Sequence, residues 1–125
     1  MEGVSLVPLI KSPALAHRWK SAAFSQYPRM IVDGDVKMGY SLRSHTYRYT
    51  EWVYYDTFSY RPLWDFRTNR QDLELYDHAL DPDENHNVAH EKQYAAVCQQ
   101  LSRLLRAGWR AALPKHDHSS LNILL

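Results

Sequence analysis

The chain has 125 residues, of which 15 are basic and 14 acidic, and its net charge is +1. This length is that of a single domain, and the evenly mixed charges exclude the basic stripe that a nucleic-acid-binding domain needs. No stretch approaches the roughly 20 apolar residues of a membrane span. The single cysteine excludes an internal disulfide, and the first residues lack the basic and apolar regions of a signal peptide.

The N-terminal part of the chain is predicted to hold little regular structure. Residues 1–21 are expected to be an irregular lead-in, because Pro8 and Pro13 interrupt any regular period. Residues 22–27 can form a short strand, which Pro28 is expected to end.

Two strands follow with a clear period of two. Residues 36–43 and 47–54 both alternate apolar or aromatic side chains with polar ones. The turn signal Asp-Gly-Asp at residues 33–35 precedes the first of them, and residues 44–46 are short enough to join the two as a hairpin. Aromatic side chains on both faces of the second strand predict a central position in the sheet.

The middle of the chain is predicted to be a loop followed by a last strand. Residues 58–69 have a mixed pattern and are expected to form a loop anchored by Tyr60, Trp64 and Phe66. Residues 73–76 are the last strand.

The C-terminal part predicts one long amphipathic helix. Apolar residues recur at spacings of three and four from Tyr94 to Ala112, with glutamines and arginines on the other side. Pro114 is expected to stop the helix, and residues 115–125 are predicted to be a loose tail. The fold class is therefore α+β, with residues 22–114 forming a small antiparallel sheet of about four strands packed against this helix.

An acidic turn at residues 81–87 raises the possibility of a calcium site. It places four oxygen-bearing side chains at alternate positions, as an EF-hand loop does: Asp81, Asp83, Asn85 and Asn87. The rest of the EF-hand pattern is missing, since it requires a glycine where His86 stands and a glutamate where Lys92 stands. We therefore interpret the segment as a turn at Asp81-Pro82, with Asn87 capping the helix that follows.

Three other groups are candidates for chemistry. Cys98 lies within the predicted helix and is interpreted as a packed structural thiol rather than a nucleophile. The His-Asp-His sequence at residues 116–118 has metal-ligand spacing but no third fixed ligand. Asp77 and His78 are adjacent at a strand end, where their side chains point in different directions, so a shared acid–base role is not expected.

Arg29 and Arg43 are the candidate binding residues. Arg29 follows Pro28, which fixes how the chain leaves the first strand, and Arg43 closes a strand beside the hairpin. Either guanidinium could bind an anionic sugar through a bidentate fork. Either could instead hold the domain together by pairing with an aspartate.

A set of short segments occurs in a fixed order along the chain. They are EGVSLVPL at 2–9, AFSQYPR at 23–29, MGYSLR at 38–43, YRYTEW at 47–52, ELYDHALDPDENHNVA at 74–89 and GWR at 108–110. Together they resemble the C-terminal part of type I sulfatases, and within that family the iduronate 2-sulfatases. The resemblance covers roughly residues 2–114, and its specificity lies in the ordered set.

The resemblance implies a lysosomal sulfuric ester hydrolase that acts on 2-O-sulfated iduronate in heparan and dermatan sulfate. It implies the fold of the family's smaller subdomain, a four-stranded antiparallel sheet with a terminal helix, which agrees with the pattern above. It also implies a large catalytic part as partner, which would carry the calcium ion and the formylglycine. Arg29 in the SQYPR motif is carried over as a functionally sensitive position.

No catalytic or metal-binding residue is carried over from the family. Its formylglycine arises in a Cys-x-Pro/Ser-x-Arg signature, whereas Cys98 is followed by the sequence QQLS. The chain alone is therefore expected to be inactive. Two alternatives stay open: a stand-alone module that binds glycosaminoglycan through Arg29, Arg43, Arg48 and Arg61, and an inactive truncated product in which Met1 is an internal methionine.

Overall fold

A computed structural model describes residues 5–31, 35–64 and 72–114. Two α-helices and five strands lie within these ranges. They are α1 Val7–Lys11, β1 Ala23–Met30, β2 Val36–Arg43, β3 Tyr47–Asp56, β4 Arg61–Leu63, β5 Leu73–Asp77 and α2 Ala95–Ala107. Short 3₁₀ segments at Pro13–Arg18, Lys92–Tyr94 and Trp109–Ala112 complete the regular structure of these ranges.

The strands form one antiparallel sheet with β3 at its centre. β1 pairs with β2, and β2 pairs with β3. The other edge of β3 pairs with β4 near its end and with β5 near its start. The predicted hairpin at residues 44–46 and the predicted central position of β3 are therefore confirmed, as is the α+β class.

The two faces of the sheet differ in character because side chains alternate along each strand. One face carries Leu42, Tyr49 and Leu75, which are each at most 2% exposed. Helix α2 covers this face with Cys98, Leu101 and Leu105, at the three- and four-residue spacing that the sequence predicts. Each fully buried leucine contributes about 2 kcal/mol to stability. The opposite face carries mostly polar side chains and is described below.

Helix α2 ends earlier than the sequence predicts. The helix stops at Ala107, and Gly108 follows with a φ of 82° and a ψ of 171°, a backbone conformation open almost only to glycine. Ala112 lies instead in a separate 3₁₀ turn, so Pro114 is not the residue that stops the helix. The apolar period continues past Gly108 because the 3₁₀ turn packs Ala112 into the same core.

Three other predictions about local structure are corrected. The lead-in holds α1 and a 3₁₀ segment, because Pro8 and Pro13 occupy first-turn positions, where a missing N–H is tolerated. Strand β1 continues through Pro28, since β1 lies at the sheet edge in the described part, where proline is accepted. The predicted loop at residues 58–69 contains β4.

Of the aromatic residues predicted to anchor that loop, one packs against the core and another is exposed to solvent. Trp64 packs against the core, whereas Tyr60 is 77% exposed and is not an anchor. Phe66, the turn signal at Asp33-Gly34 and the tail at 115–125 lie outside the described residues.

Asn87 closes the outer edge of β5. Its side-chain oxygen accepts hydrogen bonds from the N–H groups of Leu75 and Ala89, both at 3.0 Å, and its amide donates to the carbonyl of Leu73 at 3.0 Å. The prediction that Asn87 caps a helix is therefore wrong. Its amide group hydrogen-bonds to β5 as a neighbouring strand would, because the chain runs past β5 before the helical region begins at Lys92. Among the described helices, none has the length and apolar character needed to cross a bilayer.

Candidate anion-binding face

The sheet face opposite α2, which we call the polar face, holds a shallow depression of about 570 Å³. Its lining comes from β1, β2, β3, β5 and the acidic turn, and includes Ser25, Gln26, Tyr27, Arg29, Gly39, Ser41, Arg43, Arg48, Thr50, Trp52, Glu74 and Glu84. The period of two explains why side chains from neighbouring strands meet here, since directly paired residues point to the same side. Both predicted binding residues, Arg29 and Arg43, therefore line one depression.

Arg29 is placed at one end of the polar face by an aromatic ring. Its guanidinium carbon lies 4.3 Å from the centre of the Trp52 ring. The indole N–H of Trp52 donates to Glu74 Oε1 at 2.9 Å, which fixes the ring in orientation. The ring lies over Gly39, where a Cβ atom would approach its carbons to 2.8 Å. The guanidinium is thus held by stacking, which leaves its N–H groups available around its edge.

Arg43 is placed at the other end of the polar face by a network of hydrogen bonds. Its Nη1 donates to the carbonyl of Ser44, and to that of Tyr47 at 3.5 Å. Its Nη2 lies 2.9 Å from Nδ1 of His78. The other ring nitrogen of His78, Nε2, lies 2.6 Å from Glu84 Oε1.

Arg48 is the direct cross-strand partner of Arg43. Two like charges at paired positions repel one another, and Glu84 offsets this repulsion by forming an ion pair with Arg48. Glu84 has a φ of 58°, a conformation that costs a non-glycine residue about 1 kcal/mol. The Arg48 guanidinium also lies 5.3 Å from the ring centre of Tyr76.

Hydroxyl groups line the polar face between its two charged ends. Thr50 donates to Ser41 Oγ at 2.9 Å, and Ser41 donates to the carbonyl of Tyr49 at 3.3 Å. Ser25 is directly paired with Ser41 across β1 and β2. The depression therefore combines guanidinium donors, an indole and hydroxyl groups, which are the groups that bind sulfated or carboxylated sugars.

The side chains of Asp77 and Cys98, two further candidates from the sequence, form contacts within the domain. Asp77 is buried and accepts hydrogen bonds from the Ala79 N–H at 3.0 Å and the Tyr94 hydroxyl at 3.1 Å, whereas His78 points to the polar face. This separation agrees with the prediction that the two residues share no acid–base role. Cys98 is buried, its Sγ lies 3.6 Å from the carbonyl of Ala89, and burial raises the pKa of its thiol.

The acidic turn is organised by Asp81. Its carboxylate accepts from the His86 N–H at 2.7 Å and from the Asn85 side-chain amide at 3.3 Å. Hydrogen bonds from the backbone N–H groups of Asn85 and His86 lower the pKa of Asp81. Among the described residues, no group of three or more histidine, cysteine, aspartate or glutamate side chains has a metal-binding arrangement. The His-Asp-His sequence at 116–118 lies outside the described residues.

Among the residues that contact Arg29, Arg43 or Arg48 on the polar face, Trp52, His78 and Glu84 were not predicted to do so from the sequence. The period of two in β2 and β3 carries a signal for Trp52, because it assigns Trp52 and Arg43 to the same side of the sheet. No comparable signal exists for His78 and Glu84, which reach this face through the turn that follows β5.

The chain is similar to known proteins in fold and in sequence. No protein-family model matches the chain. The fold is similar to part of the solved structure of BT4656 in complex with its substrate D-glucosamine-2-N,6-O-disulfate. That similarity has a TM-score of 0.60 and 23% sequence identity, and it covers 89% of this chain and 20% of the BT4656 chain. This likeness is one of fold.

A sequence relationship adds to this likeness of fold. The chain is 36% identical to iduronate 2-sulfatase of Mus musculus over a 93-residue alignment, and the match covers 63% of this chain and 16% of the mouse protein. The chain is therefore homologous to an iduronate 2-sulfatase over this region, and it spans about a sixth of the length of that relative. The resemblance inferred from the ordered segments is confirmed at this level.

Proposed function

We propose that the chain is the C-terminal part of an iduronate-2-sulfatase-like sulfuric ester hydrolase acting on heparan and dermatan sulfate. In this role it supports a large catalytic part, and its polar face lines one wall of the substrate cleft. The observation that carries the proposal is that Arg29 and Arg43, at opposite ends of two neighbouring strands, line the same depression. The homology to iduronate 2-sulfatase supports the sulfatase class, and the family's compartment makes the lysosome the proposed location.

The length of the polar face favours an extended ligand over a single sugar. Arg29 is paired with Lys37, and Arg43 follows Lys37 by six residues along β2. At about 3.3 Å for each residue, the two arginine backbones stand about 20 Å apart. A sulfated chain of several sugars can contact both guanidinium groups at once, whereas a monosaccharide contacts one.

We assign the chemistry of sulfate ester cleavage to the catalytic part. This reaction needs an activated nucleophile and cations placed around the charge that develops in the transition state. Cys98 does not supply a nucleophile, since it is buried and its pKa is raised by that burial. The calcium ion and formylglycine that the family uses are accordingly proposed for the catalytic part.

The first experiment tests inactivity. The purified chain is assayed on a 4-methylumbelliferyl iduronate sulfate substrate, and turnover equal to the blank is expected. Turnover above the blank would overturn the division of roles. In a parallel assay the chain is mixed with a separately produced catalytic part, and restored turnover or an increased melting temperature of that part is the expected result.

The second experiment tests substrate contact. Heparin-derived oligosaccharides of two and six sugars are titrated at low salt against the chain, its R29A and R43A variants, and the R103A variant as control. Arg103 is exposed on α2, on the covered side of the sheet, so R103A is expected to bind as the parent does. Weaker binding of the longer oligosaccharide by both R29A and R43A is expected, and equal binding by all four proteins would contradict the role of the polar face.

A second candidate function is a stand-alone glycosaminoglycan-binding module. Three of its four proposed arginines, Arg29, Arg43 and Arg48, do line one depression, which favours this alternative. Salt-sensitive retention of the isolated chain on heparin, with no effect of the chain on a catalytic part, would support the module. If the chain is not retained on heparin at low or moderate salt and has no effect on a catalytic part, the result would instead indicate an inactive truncated product.

A further inference from the structure

His78 stands between two oppositely charged partners on the polar face. Its Nδ1 lies 2.9 Å from Nη2 of Arg43, and its Nε2 lies 2.6 Å from Oε1 of Glu84. A guanidinium group can only donate hydrogen bonds, and a carboxylate can only accept them. The two partners therefore assign the neutral imidazole tautomer in which Nδ1 accepts from Arg43 and Nε2 donates to Glu84.

Protonation of the ring is compatible with only one of these two contacts. In the imidazolium form both nitrogens carry a proton, so the contact with Glu84 becomes charge-assisted and stronger. At Nδ1, however, a new N–H would face the N–H of Arg43, and two positive charges would stand at hydrogen-bond distance. Protonation thus retains the bond to Glu84 and breaks the bond to Arg43.

Charged groups of three strands and of the acidic turn lie near His78 in the part of the chain that the structure describes. Arg43 belongs to β2, Arg48 to β3 and Asp77 to β5, and Glu84 lies in the acidic turn. Asp77 is directed away from the polar face by its bond to Tyr94, and Arg48 is paired with Glu84. Protonation of His78 removes the partner of Arg43 Nη2, whereas Arg43 Nη1 still donates to the carbonyls of Ser44 and Tyr47. The freed Nη2 edge therefore stays at the rim of the depression.

We propose that His78 is a pH-dependent latch on Arg43, which acidification opens so that Arg43 can bind a sulfate or carboxylate group of a ligand. This inference rests on the proposed function, because it describes the regulation of the same polar face. The latch is closed while the imidazole is neutral and open once both ring nitrogens carry a proton. By reciprocal linkage, an anionic ligand in the depression promotes the protonation of His78.

The latch is tested by ligand binding at several pH values. A heparin-derived hexasaccharide is titrated against the chain at pH 7.5, 6.5, 5.5 and 5.0, at constant ionic strength. Affinity is expected to rise about tenfold on acidification, within the usual range of coupling between two sites. In the H78Q variant, the amide oxygen can accept from Arg43 and the amide N–H can donate to Glu84 without titrating. This variant is expected to bind with almost no pH dependence. The H45Q variant removes an exposed histidine of the hairpin and is expected to retain the full pH response.

Two binding outcomes would overturn the latch: equal affinity of the parent chain at all four pH values, or an undiminished pH response in H78Q. If the hexasaccharide does not bind at any pH, it is the proposed function of the polar face that fails. The latch is then judged without ligand, by nitrogen NMR of the His78 ring and the Arg43 side chain. The side-chain signals of Arg43 are expected to move together with the titration of His78. Signals of Arg43 that do not change while His78 titrates would reject the latch.

Discussion

The indole ring of Trp52 lies over Gly39 of the neighbouring strand so closely that a Cβ atom at position 39 would come within 2.9 Å of three ring carbons. The two residues are directly paired between β2 and β3. The absence of a side chain at Gly39 therefore lets the indole lie low on the polar face. In that position the ring supports the guanidinium of Arg29 and donates a hydrogen bond to Glu74.

Replacing Gly39 by alanine is expected to destabilise the chain and to disturb Arg29. The added methyl group must displace the ring of Trp52, and overpacking of this kind costs about 1–3 kcal/mol. The free energy of unfolding is measured by urea denaturation of the G39A variant. The double variant G39A/W52L, which removes the ring, is expected to lose less stability than the sum of the two single variants. Strictly additive losses would show that the ring and the methyl group do not collide.

Replacing Asn87 by alanine is expected to weaken the outer edge of β5. The change removes the shared acceptor of the Leu75 and Ala89 N–H groups and the donor to the Leu73 carbonyl. Each of the three lost hydrogen bonds contributes about 1 kcal/mol, so a loss of about 3 kcal/mol in the free energy of unfolding is expected. Hydrogen exchange of the Leu75 amide should accelerate in N87A. The N85A variant removes a 3.3 Å bond in the same turn, and should leave that amide unchanged.

Replacing Arg106 by alanine is expected to destabilise the contact between α2 and β3. Arg106 donates to Glu51 Oε2 at 3.1 Å, and the Glu51 side chain is only 1% exposed. Removing one partner of a buried pair costs about 3–5 kcal/mol. We expect about 2 kcal/mol here, because Arg106 is 40% exposed and the hydroxyl of Tyr49 still donates to Glu51.

The control for Arg106 lies on the same helix. Thermal or urea unfolding of R106A is compared with that of R103A, whose side chain is exposed on α2. The R103A change is expected to stay within about 0.5 kcal/mol of the parent chain. A loss in R103A as large as that in R106A would show that removal of any arginine from α2, rather than loss of the pair with Glu51, accounts for the effect.

The chain is expected to lose stability in alkaline solution. Burial, together with the charge of Glu51, raises the pKa of Tyr49, and burial also raises the pKa of Tyr40. A raised pKa in the folded state favours the protonated form there. The stability it contributes is complete below the unfolded-state value of about 10 and is lost as the pH rises above it.

The measurement for this prediction is the free energy of unfolding between pH 8 and pH 12. Each tyrosine that ionises only on unfolding contributes a slope of about 1.4 kcal/mol for each pH unit. The Y49F variant cannot ionise at this position, so its slope above pH 10 is expected to be smaller than that of the parent. An identical slope would show that Tyr49 does not govern the alkaline transition. The Y27F variant, in which an exposed tyrosine of β1 is changed, serves as the control.

Local patterns in the sequence were sufficient to predict most of the sheet and the helix. Strands β2, β3 and β5 follow from a period of two, and the buried stripe of Cys98, Leu101 and Leu105 follows from spacings of three and four. These patterns are reliable because each strand or helix must turn its apolar side chains to one core. The ordered segments that resemble sulfatases were also readable from the sequence.

Proline and glycine were harder to interpret, because their effects depend on position in the fold. Pro28 would end a central strand, but β1 is at the sheet edge, and the sequence does not reveal which strand is outermost. Pro8 and Pro13 occupy the first turns of helical segments rather than separating them. Gly108 ends α2, although the apolar period continues beyond it.

The sequence by itself determined the α+β class, the hairpin and the amphipathic helix, and it singled out Arg29 and Arg43 as candidate binding residues. Only the tertiary structure decided that Arg29 and Arg43 share one depression, that Trp52 supports the first and that His78 holds the second. The reason is physical. Periodicity fixes which side of its own strand or helix a residue occupies, whereas strand order, register and the path of a turn decide which distant residues it meets. His78 and Arg43 are 35 positions apart in the sequence, and only the pairing of β5 with β3 and of β3 with β2 brings their side chains together.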